Sequence, residues 1–228
     1  MTLPPRLLDA PIAHRGLWRT GGAPENSLAA FEAACRSGYG VELDVRLSAD
    51  GEAMVFHDDV LERLTAEAGL VEEWPAEALG ALRLLGSDQT IPTLAEVLDR
   101  VGERALLLIE LKTPPGQEGL LEGRVCELLG DHAGPVGLLS FNPAALAWMA
   151  RHAPALPRGL NARTVDALQA TTEACADFLS ISVDLAAHAN VQAWRRTGRA
   201  IAWTVRTPAE RVRLTDLADN IVFEGFAP

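Results

Sequence analysis

The sequence contains few cysteines, and their spacing fits neither a zinc site nor a disulfide framework. The three cysteines, Cys35, Cys126 and Cys175, are odd in number and scattered along the chain, which favours a reducing compartment. The first eleven residues lack the apolar core of a secretion signal, and no hydrophobic run approaches membrane-spanning length. We therefore expect a cytoplasmic protein with no stable membrane insertion.

Positive charge is scarce as well. The chain has 20 Lys and Arg residues against 31 Asp and Glu residues, a formal net charge of −11. A chain this acidic is poorly suited to bind nucleic acid or an anionic membrane surface, so we expect neither partner. An anionic substrate would need local positive charge from arginine, lysine or a metal ion. Hydrophobic residues make up 48% of the chain, which excludes intrinsic disorder.

Residues 41–59, VELDVRLSADGEAMVFHDD, contain the most informative pattern, two extended runs joined by Asp50-Gly51. Asp-Gly between such runs predicts a β-hairpin with a two-residue loop. Because alternate side chains of a strand share one face, this register would bring three carboxylates and an imidazole together. The predicted cross-strand neighbours on that face are Asp44 with His57 and Glu42 with Asp59. Oxygen ligands of this kind suit Mg²⁺ or Ca²⁺ better than zinc, although an ordinary solvated strand face would carry similar charges.

Strand-like apolar segments alternate with helical segments along nearly all of the chain. Setting aside the returning arm of the hairpin, we count eight strands, at residues 11–13, 41–47, 105–112, 137–141, 156–160, 178–183, 200–205 and 221–224. Helical patterns fall at 28–37, 91–101, 119–129, 143–152, 164–175, 191–197 and 208–217. This order predicts an α/β fold, a closed (β/α)8 TIM barrel formed by residues 1–228 as a single domain. The weakly patterned stretch at about 58–90, with partial helix near 72–82, predicts a small insertion after the second strand.

Polar residues recur where these strands end. They are His14-Arg15, Glu42 with Asp44, Glu110 with Lys112, Ser140, and Trp203-Thr204. In a barrel the carboxyl ends of the strands converge on one mouth, which is where barrel enzymes hold their catalytic residues. One polar strand end would mean little, but several of these chemical types on one rim predict an active site.

Nine short motifs follow one another between residues 13 and 205. They are Ala13-His14-Arg15-Gly16, Pro24-Glu25-Asn26-Ser27, Glu42-Leu43-Asp44-Val45, Asp50-Gly51, Phe56-His57-Asp58, Ile91-Pro92-Thr93-Leu94, Ile109-Glu110-Leu111-Lys112, Ser140-Phe141 and Trp203-Thr204-Val205. Each motif alone is weak, but the ordered set resembles the glycerophosphodiester phosphodiesterase family in its bacterial, cytoplasmic form. The resemblance implies a (β/α)8 barrel, one divalent cation, Mg²⁺ or Ca²⁺, and hydrolysis of small-molecule glycerophosphodiesters to sn-glycerol 3-phosphate and an alcohol. It also implies a small inserted subdomain after the hairpin arm.

The resemblance implies roles for individual residues, and their chemistry suits those roles. The implied metal ligands are Glu42, Asp44 and Glu110, and the implied acid–base residues are His14 and His57. The implied phosphate-binding residues are Arg15 and Lys112. Phe141 and Trp203 are further candidates, for substrate binding on the alcohol side of the pocket. Carboxylates hold a hard cation, imidazoles exchange protons near neutral pH, and cationic side chains bind phosphate. For Lys112 the alternative is an exposed lysine at a strand end, and for the two aromatic residues it is packing into the barrel rim.

The far side of the rim departs from the family pattern. The seventh strand ends in Trp203-Thr204-Val205-Arg206, where the family commonly has asparagine after the valine, and the last strand runs into Phe223-Glu224-Gly225-Phe226. These departures leave the specificity for the alcohol or the glycerol open. Arg206 is a candidate for a second contact with the anion.

Three alternative functions are compatible with parts of the sequence. An enzyme of the lysophospholipase D type shares this chemistry, and a longer apolar groove beside Trp203 would support it. A non-catalytic glycerophosphodiester-binding protein would be expected to lack His14 or His57, and both are present. An unrelated barrel enzyme such as an isomerase would not need the three carboxylates. The sequence predicts neither the headgroup, nor the ion used, nor whether water or the glycerol hydroxyl attacks first, nor the oligomeric state.

Overall fold

The computed structural model of the protein describes residues 3–19 and 22–228. The strands are β1 (Ile12–Ala13), β2 (Gly40–Leu47), β3 (Ala53–Val55), β4 (Leu107–Leu111), β5 (Val136–Ser140), β6 (Arg158–Ala162), β7 (Phe178–Ser182), β8 (Ala200–Val205) and β9 (Asn220–Phe223). The α-helices are α1 (Leu28–Arg36), α2 (Ala76–Ala81), α3 (Leu94–Val101), α4 (Leu120–Leu129), α5 (Pro143–His152), α6 (Ala189–Trp194) and α7 (Pro208–Leu214). None of the helices in these two ranges combines the length and the hydropathy needed to cross a membrane.

The sheet closes on itself. Its order is β1-β9-β8-β7-β6-β5-β4-β2-β3, and β1 also pairs with β2. Every pairing is parallel except that of β2 with β3, which is antiparallel. Eight parallel strands therefore form a closed barrel with helices between them, and β3 is an extra arm paired along β2. The predicted (β/α)8 TIM barrel is confirmed.

The two-residue period of the strands divides the core into an outer and an inner layer. Along β2 and β4 the residues Val41, Leu43, Leu107 and Ile109 pack in the cluster shared with the surrounding helices. Leu108 instead belongs to a second cluster inside the barrel. The other members of that inner cluster are Leu7, Ile12, Leu106, Leu139, Phe178, Ile201 and Val222. Burying both faces of each strand explains why the strands read as continuous apolar runs.

The inner layer also explains the position of the functional residues. Because side chains alternate along a strand, the residue two positions after an inner-layer residue points toward the same interior, one step nearer the mouth. The resulting pairs are Ile12 and His14, Leu108 and Glu110, Leu139 and Phe141, Ile201 and Trp203, and Val222 and Glu224. The apolar plug at the bottom of the barrel thus carries a ring of polar and aromatic side chains above it.

The hairpin register differs from the predicted one. Val45 pairs with Val55, Arg46 with Met54 and Leu47 with Ala53, and the amide N–H of Phe56 donates to the carbonyl oxygen of Asp44 at 3.0 Å. The prediction that Asp44 faces His57 and Glu42 faces Asp59 is therefore wrong by one residue. The cause is the loop, which has the three residues Ala49, Asp50 and Gly51: Gly51 is left-handed (φ 85°) but Asp50 is not, whereas a two-residue type I′ loop needs positive φ at both.

The segment after the hairpin builds a small core of its own. It contains helix α2 and 3₁₀ helices at Val71–Glu73 and Leu84–Gly86. A separate buried cluster joins this segment to the hairpin arm, and its members are Met54, Phe56, Leu61, Leu64, Val71, Leu79, Leu84 and Ile91. The segment is therefore packed against β3 by buried apolar side chains, which positions it beside the barrel mouth.

One predicted helix is absent. Residues 164–175 form only a 3₁₀ helix, Asp166–Thr171, in place of an α-helix. The segment begins with Thr164 and Val165 and also contains Thr171 and Thr172. The branched side chains of these residues lower helix propensity. The remaining predicted helices lie within a few residues of α1 and α3 to α7.

Candidate active site

Three buried carboxylates lie side by side at the barrel mouth. Glu42 and Asp44 leave β2 toward the interior, and Glu110 leaves the neighbouring strand β4, where it is the register partner of Asp44. One oxygen of each carboxylate lies within 4.8 Å of the others. The residues are 3%, 1% and 7% exposed. Such crowding of like charge away from water is unfavourable unless positive groups compensate it.

Two cationic residues lie against this acidic cluster. The Lys112 Nζ is 2.9 Å from the Asp44 Oδ1 and contacts the Glu110 Oε1. The Arg15 Nε is 3.4 Å from the Asp44 Oδ2, and the backbone N–H of Arg15 donates to the Glu42 Oε2 at 3.0 Å. Sequence reasoning placed both cations at this rim, and the structure brings both to the carboxylates.

The turn after β1 depends on backbone conformations that are rare for side-chain-bearing residues. Arg15 has a φ of 57° and Gly16 a φ of 80°. A Cβ atom at Gly16 would lie 2.9 Å from atoms of Ala30 and Phe31, so the close packing of α1 excludes a larger residue there. This turn is what directs the Arg15 N–H at Glu42.

The titration of the carboxylates reflects their crowding. Burial, together with the charge of Asp44, raises the pKa of Glu42 to about 8. Burial likewise raises the pKa of Glu110. Burial opposes ionisation of Asp44 too, but the charges of Lys112, His57 and Arg15 hold its pKa well below the usual range. The cluster therefore has more buried negative charge than its cationic neighbours neutralise.

A divalent cation fits this cluster. The donors are three carboxylate oxygens, the ligand type that Mg²⁺ and Ca²⁺ prefer. The pKa values of Glu42 and Glu110 are raised because burial and the charge of Asp44 outweigh the cationic groups beside them, so additional positive charge would stabilise the cluster. Asn26 and Asn161 fix the orientation of two of the three, since their Nδ2 atoms donate to the Asp44 Oδ2 at 2.9 Å and to the Glu110 Oε2 at 3.0 Å. Both amides are almost fully buried.

His14 stands on one side of the cluster. Its Nε2 is 4.0 Å from the Glu42 Oε2, and its Nδ1 is 2.6 Å from the Glu224 Oε2. Arg206 pairs with the same glutamate, with its Nε 2.6 Å from the Glu224 Oε1. Burial lowers the pKa of His14, but the hydrogen bond to Glu224 and the charge of Glu42 outweigh it, so that the pKa is raised. Arg206, the candidate for a second contact with the anion, thus lines the cavity that contains His14 and pairs with Glu224.

His57 is held in a parallel way from the inserted segment. Its Nδ1 is 2.6 Å from the Asp58 Oδ1, and Arg63 donates to both oxygens of Asp58. Arg63 also donates to both oxygens of Glu25, and Glu25 accepts from the Arg15 Nη1 at 2.6 Å. Burial lowers the pKa of His57 and exceeds the opposing effect of Asp44. One arginine therefore links the surroundings of His57 to those of Arg15.

Two of these residues, Arg63 and Asn161, were not predicted from the sequence. The pairing of Glu224 with His14 and Arg206 was not predicted either. Glu224 carried a usable signal, since it lies two residues after the inner-layer Val222. Asn161 carried the same kind of signal late in β6. Arg63 carried none, because the inserted segment has no periodic pattern from which the direction of a side chain follows.

The two predicted aromatic residues form one wall. The rings of Phe141 and Trp203 meet edge to face, with centroids 5.5 Å apart. Trp203 also packs against the inner cluster, whereas Phe141 is 41% exposed. Both residues line a cavity of about 430 Å³ that contains the two histidines and the acidic cluster. A second cavity of about 720 Å³ adjoins it and shares His57, Glu110, Lys112, Phe141 and Arg163.

The fold and this site define a (β/α)8 barrel whose mouth holds an acidic cluster compatible with a divalent cation, in one cavity with two imidazoles. The glycerophosphoryl diester phosphodiesterase family model matches residues 14–223, and the chain belongs to this family. It is similar to an Oleispira antarctica phosphodiesterase, solved in complex with the product sn-glycerol-3-phosphate, at 30% identity and a TM-score of 0.86, covering 95% of this chain and 93% of that chain.

Two curated relatives are also similar. A glycerophosphodiester phosphodiesterase of Caldanaerobacter subterraneus subsp. tengcongensis is 35% identical over 65% of this chain and 65% of its own length. One of Bacillus subtilis is 31% identical over 68% of this chain and 59% of its own length. The chain thus spans about half to two thirds of the length of the curated relatives it matches.

Proposed function

We propose that the protein is a metal-dependent phosphodiesterase that hydrolyses glycerophosphodiesters to sn-glycerol 3-phosphate and an alcohol. The observation that carries this proposal is the pair of histidines that share one cavity with three buried acidic residues, each histidine with its Nδ1 against a carboxylate. Family membership and the product bound to the Oleispira relative support the same substrate class.

Each group of residues at the site has a separate role in this reaction. Glu42, Asp44 and Glu110 would hold one divalent cation, Mg²⁺ or Ca²⁺, which when bound supplies positive charge to the phosphate oxygens. Arg15 and Lys112 bind the phosphate and balance the charge that grows on it. With both Nδ1 atoms occupied by carboxylates, His14 and His57 present the Nε2 atom for proton transfer, one as acid and one as base.

The rest of the cavity serves the alcohol. Phe141 and Trp203 form its wall, and the inserted segment at about 58–90 supplies Asp58 and Arg63 to the His57 side. We treat residues 1–228 as a single domain, since the insertion has its own small cluster but contributes directly to the one site. The three free cysteines support a reducing compartment such as the cytoplasm.

A second candidate is hydrolysis of lysophospholipids by a lysophospholipase D reaction. The observation that favours it is the larger cavity beside Phe141, whose lining includes Leu47, Leu70, Pro114 and Leu120. An acyl chain could lie along such a surface while the phosphate occupies the shared site.

A chelation and restoration assay tests both candidates. The protein is treated with EDTA, then supplied with Mg²⁺ or Ca²⁺, and given glycerophosphoglycerol, glycerophosphocholine and a lysophosphatidylcholine. We expect sn-glycerol 3-phosphate from a glycerophosphodiester only after an ion is restored. Lysophosphatidic acid as the main product would favour the second candidate. No phosphomonoester from any substrate would overturn the enzymatic proposal and leave a binding protein.

A further inference from the structure

Arg163 lies where the two cavities meet. It directly follows β6 at the carboxyl end of the barrel and lines both the smaller cavity, which contains the histidines, and the larger cavity beside it. A diester whose phosphate lies beside the histidines can extend its alcohol from the smaller cavity toward this junction. The charge placed there therefore acts on the alcohol of the substrate.

The guanidinium of Arg163 covers the aromatic wall. Its Cζ lies 5.3 Å from the ring centroid of Phe141 and 5.5 Å from that of Trp203. Two rings at such distances form the kind of surface that receives a quaternary ammonium group through cation–π attraction. In this chain the surface is already occupied by a cation of the protein itself, which a cationic headgroup would have to displace.

The charge of Arg163 is also uncompensated. Among the described residues, the other cations of the smaller cavity each pair with a carboxylate: Arg15 with Glu25, Lys112 with Asp44, and Arg206 with Glu224. No described carboxylate lies within ion-pair distance of Arg163, although Asp184 lines the smaller cavity and Asp59 and Glu72 line the larger one. An exposed, unpaired guanidinium beside the alcohol site repels a cation and attracts hydroxyl groups or an anion.

We infer that Arg163 is a specificity-determining residue that directs the enzyme to glycerophosphodiesters whose alcohol is an uncharged polyol or carries negative charge, and away from choline. The inference rests on the proposed function and narrows its substrate class. It concerns the alcohol alone, because Arg15 and Lys112 already serve the phosphate.

The test compares glycerophosphoglycerol with glycerophosphocholine in the metal-restored enzyme. The measured quantity is the ratio of the two kcat/KM values for the wild type, for Arg163→Gln and for Arg163→Glu. We expect the wild type to favour glycerophosphoglycerol, the Gln variant to shift the ratio about tenfold toward choline, and the Glu variant to shift it further. Arg213→Gln, which removes the same charge from the exposed end of α7, is the control and should leave the ratio unchanged.

The outcomes separate this inference from the proposed function. If the wild type hydrolyses neither diester, the proposed function fails. If it hydrolyses both and the ratio stays within about twofold in both Arg163 variants, the function stands and the role of Arg163 is wrong. Equal shifts in the Gln and Glu variants would also overturn the inference, because an effect of shape alone does not depend on the sign of the charge.

Discussion

The two histidines of the site are held by the same chemistry but built from different parts of the molecule. Each Nδ1 lies 2.6 Å from a carboxylate oxygen, and each carboxylate also pairs with an arginine. For His14 the carboxylate is Glu224, which reaches it from the last strand of the barrel. For His57 it is Asp58, the next residue in the chain, at the start of the inserted segment. The barrel and the insertion thus each support one imidazole.

The arginines on the two sides differ in their exposure to solvent and in the number of carboxylates that they join. The arginine on the His14 side, Arg206, has a side chain that is 60% exposed and, among the described carboxylates, pairs with Glu224 alone. The arginine on the His57 side, Arg63, joins Asp58 to Glu25 and through Glu25 to Arg15. The pKa values diverge as well, raised for His14 and lowered for His57. The two imidazoles are therefore not interchangeable, and substitutions on the two sides should change kcat and KM differently.

Removing either histidine should have the largest effect. We expect His14→Asn and His57→Asn each to lower kcat by about 10³-fold with the natural alcohols, since each removes one proton transfer. A glycerophosphodiester with a nitrophenol leaving group needs no proton on the departing oxygen. One of the two variants, the one that lacks the acid, should therefore regain most of its activity on that substrate.

The nitrophenyl substrate also provides the control. Circular dichroism spectra should show that both variants are folded, and the wild type should hydrolyse both substrates. If the two variants respond alike to the activated leaving group, the division into one acid and one base is wrong.

Arg63 should come next in magnitude. Arg63→Met leaves Glu25 and Asp58 without their shared partner, so both Arg15 and His57 lose a positioning contact. We expect kcat to fall by about 10- to 100-fold and KM to rise, because small displacements of aligned groups are costly and Arg15 binds the phosphate. Steady-state kinetics on glycerophosphoglycerol measure both quantities.

Arg63→Lys is the matched variant. A lysine keeps the charge but cannot hold two carboxylates through a planar fork, so we expect only partial recovery of kcat and KM. Full recovery by lysine would mean that charge alone matters. An unchanged KM in Arg63→Met would show that the link to Arg15 has no effect on binding.

The two sides of the site also differ in how much of their structure can be predicted from the sequence. The side chains on β2 and β4 were predictable because a strand has a two-residue period and a barrel brings its strand ends together. Arg63 was not, because it lies in an irregular segment and its contact with Glu25 spans 38 positions. The prediction of the hairpin register failed for a local reason, since Asp-Gly permits loops of two or three residues and the sign of φ at Asp50 distinguishes them. The contact of His14 with Glu224 spans 210 positions and depends on closure of the barrel.

Arg206 should matter less than Arg63. Its single, exposed ion pair with Glu224 is of the kind that contributes little. We expect Arg206→Met to lower kcat by no more than about fivefold and to leave KM unchanged, since among the described residues Glu224 pairs with His14 and Arg206 and not directly with Arg15. A rise in KM measured by the same assay would instead support the predicted contact of Arg206 with the substrate anion.

The smallest expected effect concerns stability against acid. Burial raises the pKa of Asp58, but Arg63 and His57 outweigh it and lower this pKa to about 2. Burial also opposes ionisation of Glu25, yet Arg63 and Arg15 lower the pKa of this carboxyl group as well. A carboxylate with a depressed pKa stabilises the folded state above its unfolded pKa of about 4, and that contribution is lost as the pH falls toward 2. The wild type should therefore unfold at a higher urea concentration than Arg63→Met at pH 7, and the gap should narrow at pH 3.

Both proteins are measured in EDTA, so that metal release does not contribute to the difference. Arg206→Met should show the same narrowing with a smaller gap at pH 7. Burial opposes ionisation of Glu224, but His14 lowers the pKa of Glu224 to about 2 and Arg206 contributes less, so most of the effect remains in the variant. A gap for Arg63→Met that does not change with pH would mean that the arginine does not stabilise the fold through its ion pairs with Asp58 and Glu25, because those pairs are lost when the carboxylates are protonated.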